Sequence, residues 1–302
     1  MTSKEKIEYK DEYVQSANSL FHFMGEEKHL RDAIENCALK PRYCRENIEY
    51  MDLKNPTGNI VKEMVVLQKC FCDIPLHKLN ERFPISIANE NDLSGESIEK
   101  IQNGDYYTHT GCYGKYGIAF SKAWCIEHGL QPVIYVNSKS GYLSQLKDMF
   151  SHIMSQEETE DIYVGDLMRQ FAYIKPLQGI MSRSIDGINV VFEKNFHDEK
   201  EWRFISADEQ LKNNELDKIS FRRAIIDNYV NISNNLEAPS YEKLWLKFAY
   251  RDVKYIIVPN KTSRESIIRF IMDMPEEKFE SEMERLVFIS KIQVLEDIRK
   301  DW

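Results

Sequence analysis

Short strand-like and helix-like segments follow one another irregularly along this chain, and this order is the strongest constraint on its fold. Residues 20–24 have a strand-like pattern, residues 26–38 place apolar side chains at helical spacing, and a buried-strand pattern recurs around 65–67. A doubly wound parallel sheet would require a regular alternation of strand and helix. The irregular order instead predicts an α+β fold, in which helices surround a mixed or antiparallel sheet.

The same patterns predict the remaining elements. Residues 42–52 are interpreted as a loop and residues 141–182 as largely helical. Ser121 is expected to cap a helix that runs to Glu127, and Thr262 to Glu265 have the spacing of a capping box. Further strands are predicted at 118–120, 133–136, 188–192, 201–205 and 254–258, and further helices at 221–234 and 240–249.

The sequence contains no stretch that is typical of a linker between domains. No stretch rich in Pro, Gly or Ser, no internal repeat and no low-complexity tract divides the chain. We therefore expect a single domain over residues 19–302, preceded by a polar helix or arm at residues 1–18.

Composition excludes several classes of protein. The formal net charge of -9 argues against a broad nucleic-acid-coating surface, because phosphate binding depends on clustered Lys and Arg. No segment approaches the roughly 20 apolar residues that cross a bilayer, and the charged residues 1–12 do not resemble a signal peptide. The six cysteines are then most simply kept reduced. These features predict a cytoplasmic protein that does not contact a membrane.

His22 is the first candidate site residue. It lies between Phe21 and Phe23, so on a strand its imidazole faces away from both rings. Such an imidazole can bind a ligand hydroxyl, although an isolated histidine is more often a surface or satisfied core residue.

A metal site is the next possibility, because Cys70 and Cys72 are followed by His77. A Cys-x-Cys spacing on a strand points both thiols to one face and lacks the turn of a zinc knuckle. His109 and Cys112 are the only further partial candidates for a ligand pair. Structural packing is therefore the better interpretation, and no metal is expected.

Residues 104–117 combine four glycines with four tyrosines. Tyr113 and Tyr116 offer flat surfaces for a planar ring, and glycines let a backbone approach a ligand. An ordinary loop whose tyrosines cover an edge of the core explains the pattern equally well. The segment lacks the Gly-Lys-Ser/Thr ending of a phosphate-binding loop.

Glu199 and Glu201 form a Glu-x-Glu motif around Lys200. On a strand both carboxylates face the same side, and two like charges that close are costly unless they are solvated or used in function. Trp202 would face the opposite, buried side. A charged rim of a hairpin is the alternative interpretation.

Five segments occur in one order and together resemble the AbiGi-type abortive-infection (phage resistance) family. They are residues 19–23, 41–46, 70–76, 113–120 and 198–203. The resemblance spans roughly residues 19–260. The family is described as the antitoxin side of a two-gene phage-exclusion system, which implies a cognate toxin or antitoxin as partner.

The layout is also similar to that of the ADP-ribosyltransferase superfamily, whose core is a mixed or antiparallel split β-sheet. In that superfamily an early strand supplies His or Arg, a middle strand supplies an aromatic or hydroxyl residue, and a late strand supplies Glu. His22, the segment from Tyr113 to Ser121, and Glu201 follow this order. The resemblance therefore implies an enzyme that uses NAD as substrate and transfers ADP-ribose to a nucleic acid or a protein.

The same resemblance implies roles for individual residues. Glu201 would stabilise the oxocarbenium-like ribose through its 2′-hydroxyl, and Glu199 would orient or deprotonate the acceptor. Tyr113 or Tyr116 would stack on nicotinamide, and Arg42 or Arg203 would meet the pyrophosphate. The residues implied to bind NAD are His22, Phe23, Arg42, Tyr43, Tyr113, Tyr116 and Ser121.

Two other functions fit the same sequence. The first is a non-catalytic antitoxin that binds and neutralises a toxin through its surface. The second is a metal-dependent, nuclease-like hydrolase that uses Asp73, Asp105 and His109, although these residues follow no recognised ligand spacing.

Overall fold

A mixed β-sheet forms the centre of the molecule in a computed structural model that describes residues 16–55, 57–83, 86–155, 169–185, 188–214 and 216–301. The strands are β1 Ser19–Met24, β2 Ala38–Leu39, β3 Arg42–Asn47, β4 Glu63–Cys72, β5 Tyr116–Ser121, β6 Gln131–Pro132, β7 Ile134–Val136, β8 Ile174–Pro176, β9 Gln178–Ile185, β10 Ile188–Asn195, β11 Glu201–Phe204, β12 Ile219–Ser220, β13 Leu246–Lys247, β14 Val253–Val258 and β15 Ile292–Val294.

Helices flank this sheet. The α-helices are α1 Glu27–Asn36, α2 Gly95–Asn103, α3 His109–Tyr113, α4 Lys122–Glu127, α5 Gly141–Ser155, α6 Asp208–Asn213, α7 Arg223–Asn235, α8 Lys261–Met272, α9 Glu282–Ser290 and α10 Leu295–Asp301. The 3₁₀ helices are Glu49–Met51, Leu76–Lys78, Glu90–Asp92, Asp105–Tyr107, Phe171–Tyr173, Phe196–Glu199, Pro239–Leu244, Tyr250–Asp252 and Glu276–Lys278.

Within the described residues the main sheet has nine strands in the order β15-β14-β5-β1-β4-β11-β6, and β3 and β12 also pair with β4. The β14–β15 pair is parallel, whereas the other pairs of this sheet are antiparallel. The predicted α+β class with a mixed sheet is thus confirmed.

Strand β1 lies in the middle of the sheet because every residue in it can be buried. All six of its residues are buried, including Ser19 and His22. Leu20 joins the largest apolar cluster, which the sheet forms with α1, α8 and α9. Phe21 and Phe23 pack on the other face, with ring centroids 6.0 Å apart.

The sheet has a narrow joint between β1 and β4. Strand β1 pairs with β5 along its entire length, whereas its register with β4 is the single pair Phe21–Cys72. Beyond this pair, the His22 imidazole rather than a backbone group reaches the Cys70 carbonyl. The two halves of the sheet therefore diverge at this point and leave room between them.

Local sequence signals explain where several helices begin and end. The Ser121 hydroxyl accepts a hydrogen bond from the Trp124 N–H and so caps α4, as predicted. Helix α1 ends at Asn36, and its C-cap Cys37 adopts a left-handed conformation at φ 46°. For α8 the predicted capping box at Thr262 to Glu265 is wrong, because Asn260 is the N-cap and accepts from the Ser263 N–H.

Other predicted segments differ from the structure. Residues 42–52 are not a loop, because β3 pairs with six residues of β4 and a 3₁₀ helix follows it. Of the segment 141–182, predicted as helical, α5 ends at Ser155, residues 156–168 lie outside the described chain, and β8 and β9 follow. Residues 240–249 form most of a 3₁₀ helix and then the strand β13 instead of one helix.

The tyrosine-glycine segment 104–117 is more ordered than a loop. It contains a 3₁₀ helix, the α-helix α3 and the start of β5. Gly114 has a φ of 118°, and a Cβ there would lie 2.0 Å from the Met24 carbonyl oxygen. This glycine therefore allows the close approach of two backbones of the same chain. Residues 1–15 of the predicted N-terminal arm lie outside the described residues.

Candidate functional site

A cavity of about 730 Å³ lies where β1 and β4 diverge. Strands β1, β3, β4, β8, β9 and β11, together with α3 and the 3₁₀ helices Glu49–Met51 and Phe196–Glu199, contribute residues to its lining. Its volume lies within the range of roughly 300–1,000 Å³ that is typical of small-molecule sites.

Five of the residues predicted for the site line this cavity. They come from three distant parts of the chain and are His22, Phe23, Tyr113, Glu199 and Glu201. The convergence follows from the topology. Strands β1 and β11 are both neighbours of β4, and α3 leads directly to β5, which pairs with β1.

The other predicted residues lie elsewhere. The Arg42 guanidinium pairs with Glu237 and donates to Asn234 Oδ1 at 2.7 Å. The Tyr43 hydroxyl donates to the Asp217 carbonyl at 2.7 Å. Neither Arg42 nor Tyr43 is part of the cavity lining.

Tyr116 and Ser121 are also outside the lining. The Tyr116 hydroxyl lies 3.2 Å from the Ser263 hydroxyl and 3.5 Å from Glu27 Oε2, in a polar cluster between β5, α1 and α8. Ser121 acts as the cap of α4. Of the two tyrosines considered for ring stacking, Tyr113 is thus the one that reaches the cavity.

Glu201 forms one end of a charged wall. Its Oε1 accepts from Arg203 Nε at 2.7 Å, and its Oε2 accepts from Lys175 Nζ at 2.6 Å. Arg203 is completely buried and also donates to Glu46 Oε1 at 2.8 Å and to the Ala172 carbonyl at 2.6 Å. Arg203 therefore holds the carboxylate from within the protein and does not line the cavity.

Glu199 continues this wall. Its Oε2 accepts from Lys175 at 2.8 Å, and its Oε1 lies 2.6 Å from Lys194 Nζ and also accepts from the Tyr113 hydroxyl. The Lys194 ammonium in turn donates to the Tyr113 hydroxyl at 2.9 Å. Both glutamates are 4% exposed, so this is a buried ionic network and the predicted exposed rim of a hairpin is not formed.

The cations in this network keep both carboxylates ionised. Burial alone would raise the pKa of Glu199, but Lys175 and Lys194 outweigh it and lower that pKa to about 2. Burial likewise opposes ionisation of Glu201, yet Arg203 and Lys175 hold its pKa well below the usual range. Only 11% of the Lys175 side chain is exposed, and desolvation alone would lower its pKa, but the two carboxylates raise that pKa well above the ordinary value.

An aromatic wall accompanies the charged one. The His109 ring lies 5.4 Å from the Phe23 ring and 4.8 Å from the Tyr113 ring, measured between centroids. Burial, with Lys194 and Lys175 nearby, lowers the pKa of His109 to about 3, so its imidazole is neutral at pH 7. The sequence singled out His109 only as a metal or hydrolase residue, because no pattern showed that α3 would stack it between these rings.

His22 offers a fixed hydrogen-bond acceptor. Its Nδ1 donates to the Cys70 carbonyl at 2.7 Å, which leaves the lone pair of the neutral ring on Nε2. Burial and the charge of Lys69 lower the pKa of His22 to about 3. Within the described structure Nε2 is buried and has no hydrogen-bond partner.

Gln68 and Arg45 were missed by the sequence reasoning and also line the cavity. Gln68 donates to Glu46 Oε1 at 3.1 Å, while its own Oε1 is buried without a partner among the residues described. Arg45 Nε donates to Glu63 Oε1 at 2.9 Å, and about half of its side chain is exposed. Arg45 lies in the segment 42–52 that was misinterpreted as a loop. Gln68 lies on β4, the strand with which that segment pairs.

Residues considered for metal or hydrolase chemistry have other partners. In the described part of the chain, no group of three or more His, Cys, Asp or Glu side chains is arranged to hold a metal ion. Asp73 is buried and accepts from Lys122 Nζ at 2.6 Å. Cys70 and Cys72 line the cavity as thiols.

The site thus combines three chemical features. Two ionised carboxylates can stabilise developing positive charge, an aromatic wall can pack on a planar ring, and two acceptor atoms can bind donors of a ligand.

The helices of the described chain include none that is long and apolar enough to pass through a bilayer.

Comparison with known proteins identifies the family. Residues 97–259 match the family described as "Putative abortive phage resistance protein AbiGi, antitoxin". The chain is 33% identical over 276 residues to the abortive phage resistance protein AbiGi of Lactococcus lactis subsp. cremoris, covering 88% of this chain and 100% of that protein. No solved structure is significantly similar to the chain. The chain therefore belongs to the AbiGi family of abortive phage resistance proteins.

Proposed function

We propose that this protein is an NAD-dependent ADP-ribosyltransferase that acts in abortive phage defence. The observation that carries the proposal is the convergence of His22, Tyr113, Glu199 and Glu201 on one cavity. These residues follow the order expected of an ADP-ribosyltransferase and come from segments that are far apart in the chain.

The proposed reaction begins with cleavage of the bond between nicotinamide and ribose. The bonding electron pair leaves with the nicotinamide nitrogen, and positive charge develops on the ribose carbon and ring oxygen. Glu201 stabilises this charge by accepting a hydrogen bond from the ribose 2′-hydroxyl. A carboxylate oxygen has room for such a bond beside its ion pairs, since the two oxygens offer about four lone-pair positions.

Glu199 is better suited to orient groups than to remove protons. A general base works best when its pKa lies near the working pH, and the pKa of Glu199 is lowered to about 2. Its contact with the Tyr113 hydroxyl instead holds that ring in the aromatic wall. The acceptor nucleophile then forms a bond to the ribose carbon that nicotinamide has left, and it gives up its proton to solvent or to its own neighbouring groups.

The remaining parts of NAD are assigned by the chemistry of the lining. Nicotinamide packs on the wall of Phe23, His109 and Tyr113, and His22 Nε2 accepts from a hydroxyl of the adenosine-side ribose. The pyrophosphate role passes to Arg45, which lines the cavity, unlike Arg42 and Arg203.

A non-catalytic antitoxin is the second candidate. Two observations favour it: the matching family is described as an antitoxin, and both oxygens of each cavity carboxylate already accept from a cation. In this case the charged wall would serve stability, and a surface of the protein would bind the toxin.

Incubation of the protein with NAD labelled in its adenosine part, in cell extract, distinguishes the two candidates. The enzyme transfers label to macromolecules, and nuclease or protease treatment then shows which class of acceptor carries it. Glu201→Asp keeps the charge but withdraws the carboxylate by roughly 1 Å, which should reduce transfer about 10²-fold.

Glu242→Gln provides the matched control. Glu242 is an exposed carboxylate that pairs with Lys247 at 3.1 Å and does not line the cavity. The Glu242→Gln protein should transfer label at the wild-type rate. Absence of NAD-dependent label with the wild-type protein, combined with retained toxin neutralisation by Glu201→Asp, would establish the antitoxin alternative instead.

A further inference from the structure

Three cations contact the Glu199–Glu201 pair in the described structure, and they do not occupy equivalent positions: Lys194 and Arg203 are buried, whereas 11% of the Lys175 side chain is exposed. Lys194 binds Oε1 of Glu199 at 2.6 Å, and Arg203 binds Oε1 of Glu201 at 2.7 Å. Lys175 binds Oε2 of both, at 2.8 Å and 2.6 Å. Among the three, Lys175 alone lines the cavity.

We propose that Lys175 is the positioning residue of this site, because its ammonium group fixes the charge and the spacing of the two carboxylates that face the ligand. The proposal rests on the ADP-ribosyl transfer proposed above. Lys175 is suited to this role because its side chain is held on both sides: its ammonium lies between the carboxylates and 4.9 Å from the centre of the Phe196 ring.

The physical need for such a cation comes from the Glu-x-Glu arrangement. Two carboxylates that share a buried site repel each other, and without compensation one of them binds a proton. Lys194 and Arg203 each neutralise a single carboxylate from inside the protein. Lys175 is therefore the residue whose loss leaves the two Oε2 atoms facing each other without an intervening positive charge.

Other titratable groups around the pair must be considered in any pH experiment. From the elements packed against it these are Lys194 on β10, Arg203 on β11, Tyr113 and His109 on α3, Glu46 on β3, Tyr50 in the 3₁₀ helix after β3, Cys70 and Cys72 on β4, and Tyr135 on β7. His109, with a pKa lowered to about 3, stays neutral over the useful range. The Tyr113 and Tyr135 hydroxyls have raised pKa values and do not ionise there.

The direct test follows the side-chain carboxyl carbons of Glu199 and Glu201 by NMR during a pH titration, with Glu199→Gln used for assignment. In Lys175→Met we expect one carboxyl to titrate with a pKa higher than in the wild type by about 1 to 3. Lys175→Arg should titrate like the wild type, since it restores the charge. An unchanged titration in Lys175→Met would overturn the proposal.

Lys40→Met is the matched control. Lys40 has 12% side-chain exposure, pairs with Asp32 at 2.7 Å and lies 4.7 Å from the Trp245 ring, so it resembles Lys175 without lining the cavity. Its loss should leave both cavity carboxyls unaffected. If Lys40→Met shifts them as much as Lys175→Met does, the effect is a general loss of stability and the proposal is wrong.

If Lys175→Met does not fold, the double variant Glu201→Gln/Lys175→Met decides the matter. It leaves each remaining carboxylate with one cation, because Glu199 keeps Lys194 and Glu46 keeps Arg203. Recovery of a cooperative melting transition supports the proposal, and failure to recover contradicts it.

Label transfer, measured in parallel, tests the proposed function separately. Its absence in the wild type would refute the proposed transferase activity, but the role of Lys175 in the carboxyl titration would still be tested by NMR. If the wild type transfers label, the acidic limb of its pH–rate profile should move to higher pH in Lys175→Met and not in Lys175→Arg.

Discussion

Glu201 and Arg203, two residues apart on β11, share one face of the sheet, and the guanidinium Nε donates to the carboxylate Oε1 at 2.7 Å. Arg203 is entirely buried and Glu201 is 4% exposed. The residue proposed to contact the ribose is therefore also part of the protein's internal charge balance. Catalytic and structural effects must be separated at this position.

Glu201→Gln should therefore destabilise the protein as well as reduce transfer. Removing one partner of a buried ion pair costs about 3–5 kcal/mol, because a charge is left uncompensated. Arg203 would keep Glu46 as a partner, but the three cations of the network would then face only two carboxylates. Chemical unfolding in urea measures this loss, and Glu242→Gln, at an exposed pair, should change stability by less than about 1 kcal/mol. A Glu201→Gln protein as stable as the wild type would show that the network does not hold Arg203 as described.

Tyr113→Phe separates the ring of this residue from its hydroxyl. The hydroxyl contacts Glu199 and Lys194, and hydrogen bonds to charged groups contribute about 1.5–3 kcal/mol, so stability should fall by that amount. The ring is retained, and stabilisation by NAD should persist. Tyr113→Ala should abolish it. Equal loss of the NAD effect in both variants would mean that stacking is not the role of Tyr113.

His22 makes stability depend on pH in a predictable direction. Its pKa falls from 6.5 in the unfolded chain to about 3 in the folded protein, so between these values the unfolded state binds the extra proton. Stability therefore decreases as the pH falls below about 6.5, by up to about 1.4 kcal/mol per pH unit for this group. His109 acts in the same direction, and Glu199 adds a further loss between its ordinary pKa of 4.5 and about 2.

His22→Asn tests this dependence, since its amide keeps a donor for the Cys70 carbonyl and does not titrate. Urea unfolding at a series of pH values between 6.5 and 5 gives the free energy of unfolding of the wild type and the variant. This free energy should fall less steeply with decreasing pH in the variant. Parallel slopes would mean that His22 is protonated in the folded state.

Gly114→Ala should be strongly destabilising. The residue has a φ of 118°, and a Cβ would meet the Met24 carbonyl oxygen at 2.0 Å, so both the backbone and the joint between α3 and β1 must shift. A strained conformation alone costs about 1–3 kcal/mol. Gly129→Ala is the control, because Gly129 has a φ of 75° but no atom within 4 Å of the new Cβ. Equal melting temperatures of the two variants would contradict the close approach at Gly114.

Elements with strong apolar patterns were predictable from sequence. Strands β1, β4, β5 and β14 are rich in buried apolar residues, helix α1 follows the helical period of its buried side chains, and the Ser121 cap marks the start of α4. His22 was singled out on one of these strands because it alternates with Phe21 and Phe23, whereas the cavity role of Phe23 was implied only by the resemblance to ADP-ribosyltransferases.

Strands without that pattern were missed. The strand β3 reads Arg-Tyr-Cys-Arg-Glu-Asn and is a strand because β4 offers it six backbone partners, a long-range condition that no local window contains. Lys175 was missed in the same way, since it lies in a segment predicted as helical. Its importance depends on two carboxylates more than 20 residues further along the chain.

The central claim, that the cavity binds NAD, is tested most directly by the melting temperature of the wild-type protein with and without NAD. At 100 times its dissociation constant a ligand that binds the folded state adds about 2.7 kcal/mol. We predict a rise of several degrees, which His22→Asn weakens and Tyr113→Ala abolishes. A melting temperature that does not change at saturating NAD would contradict the account.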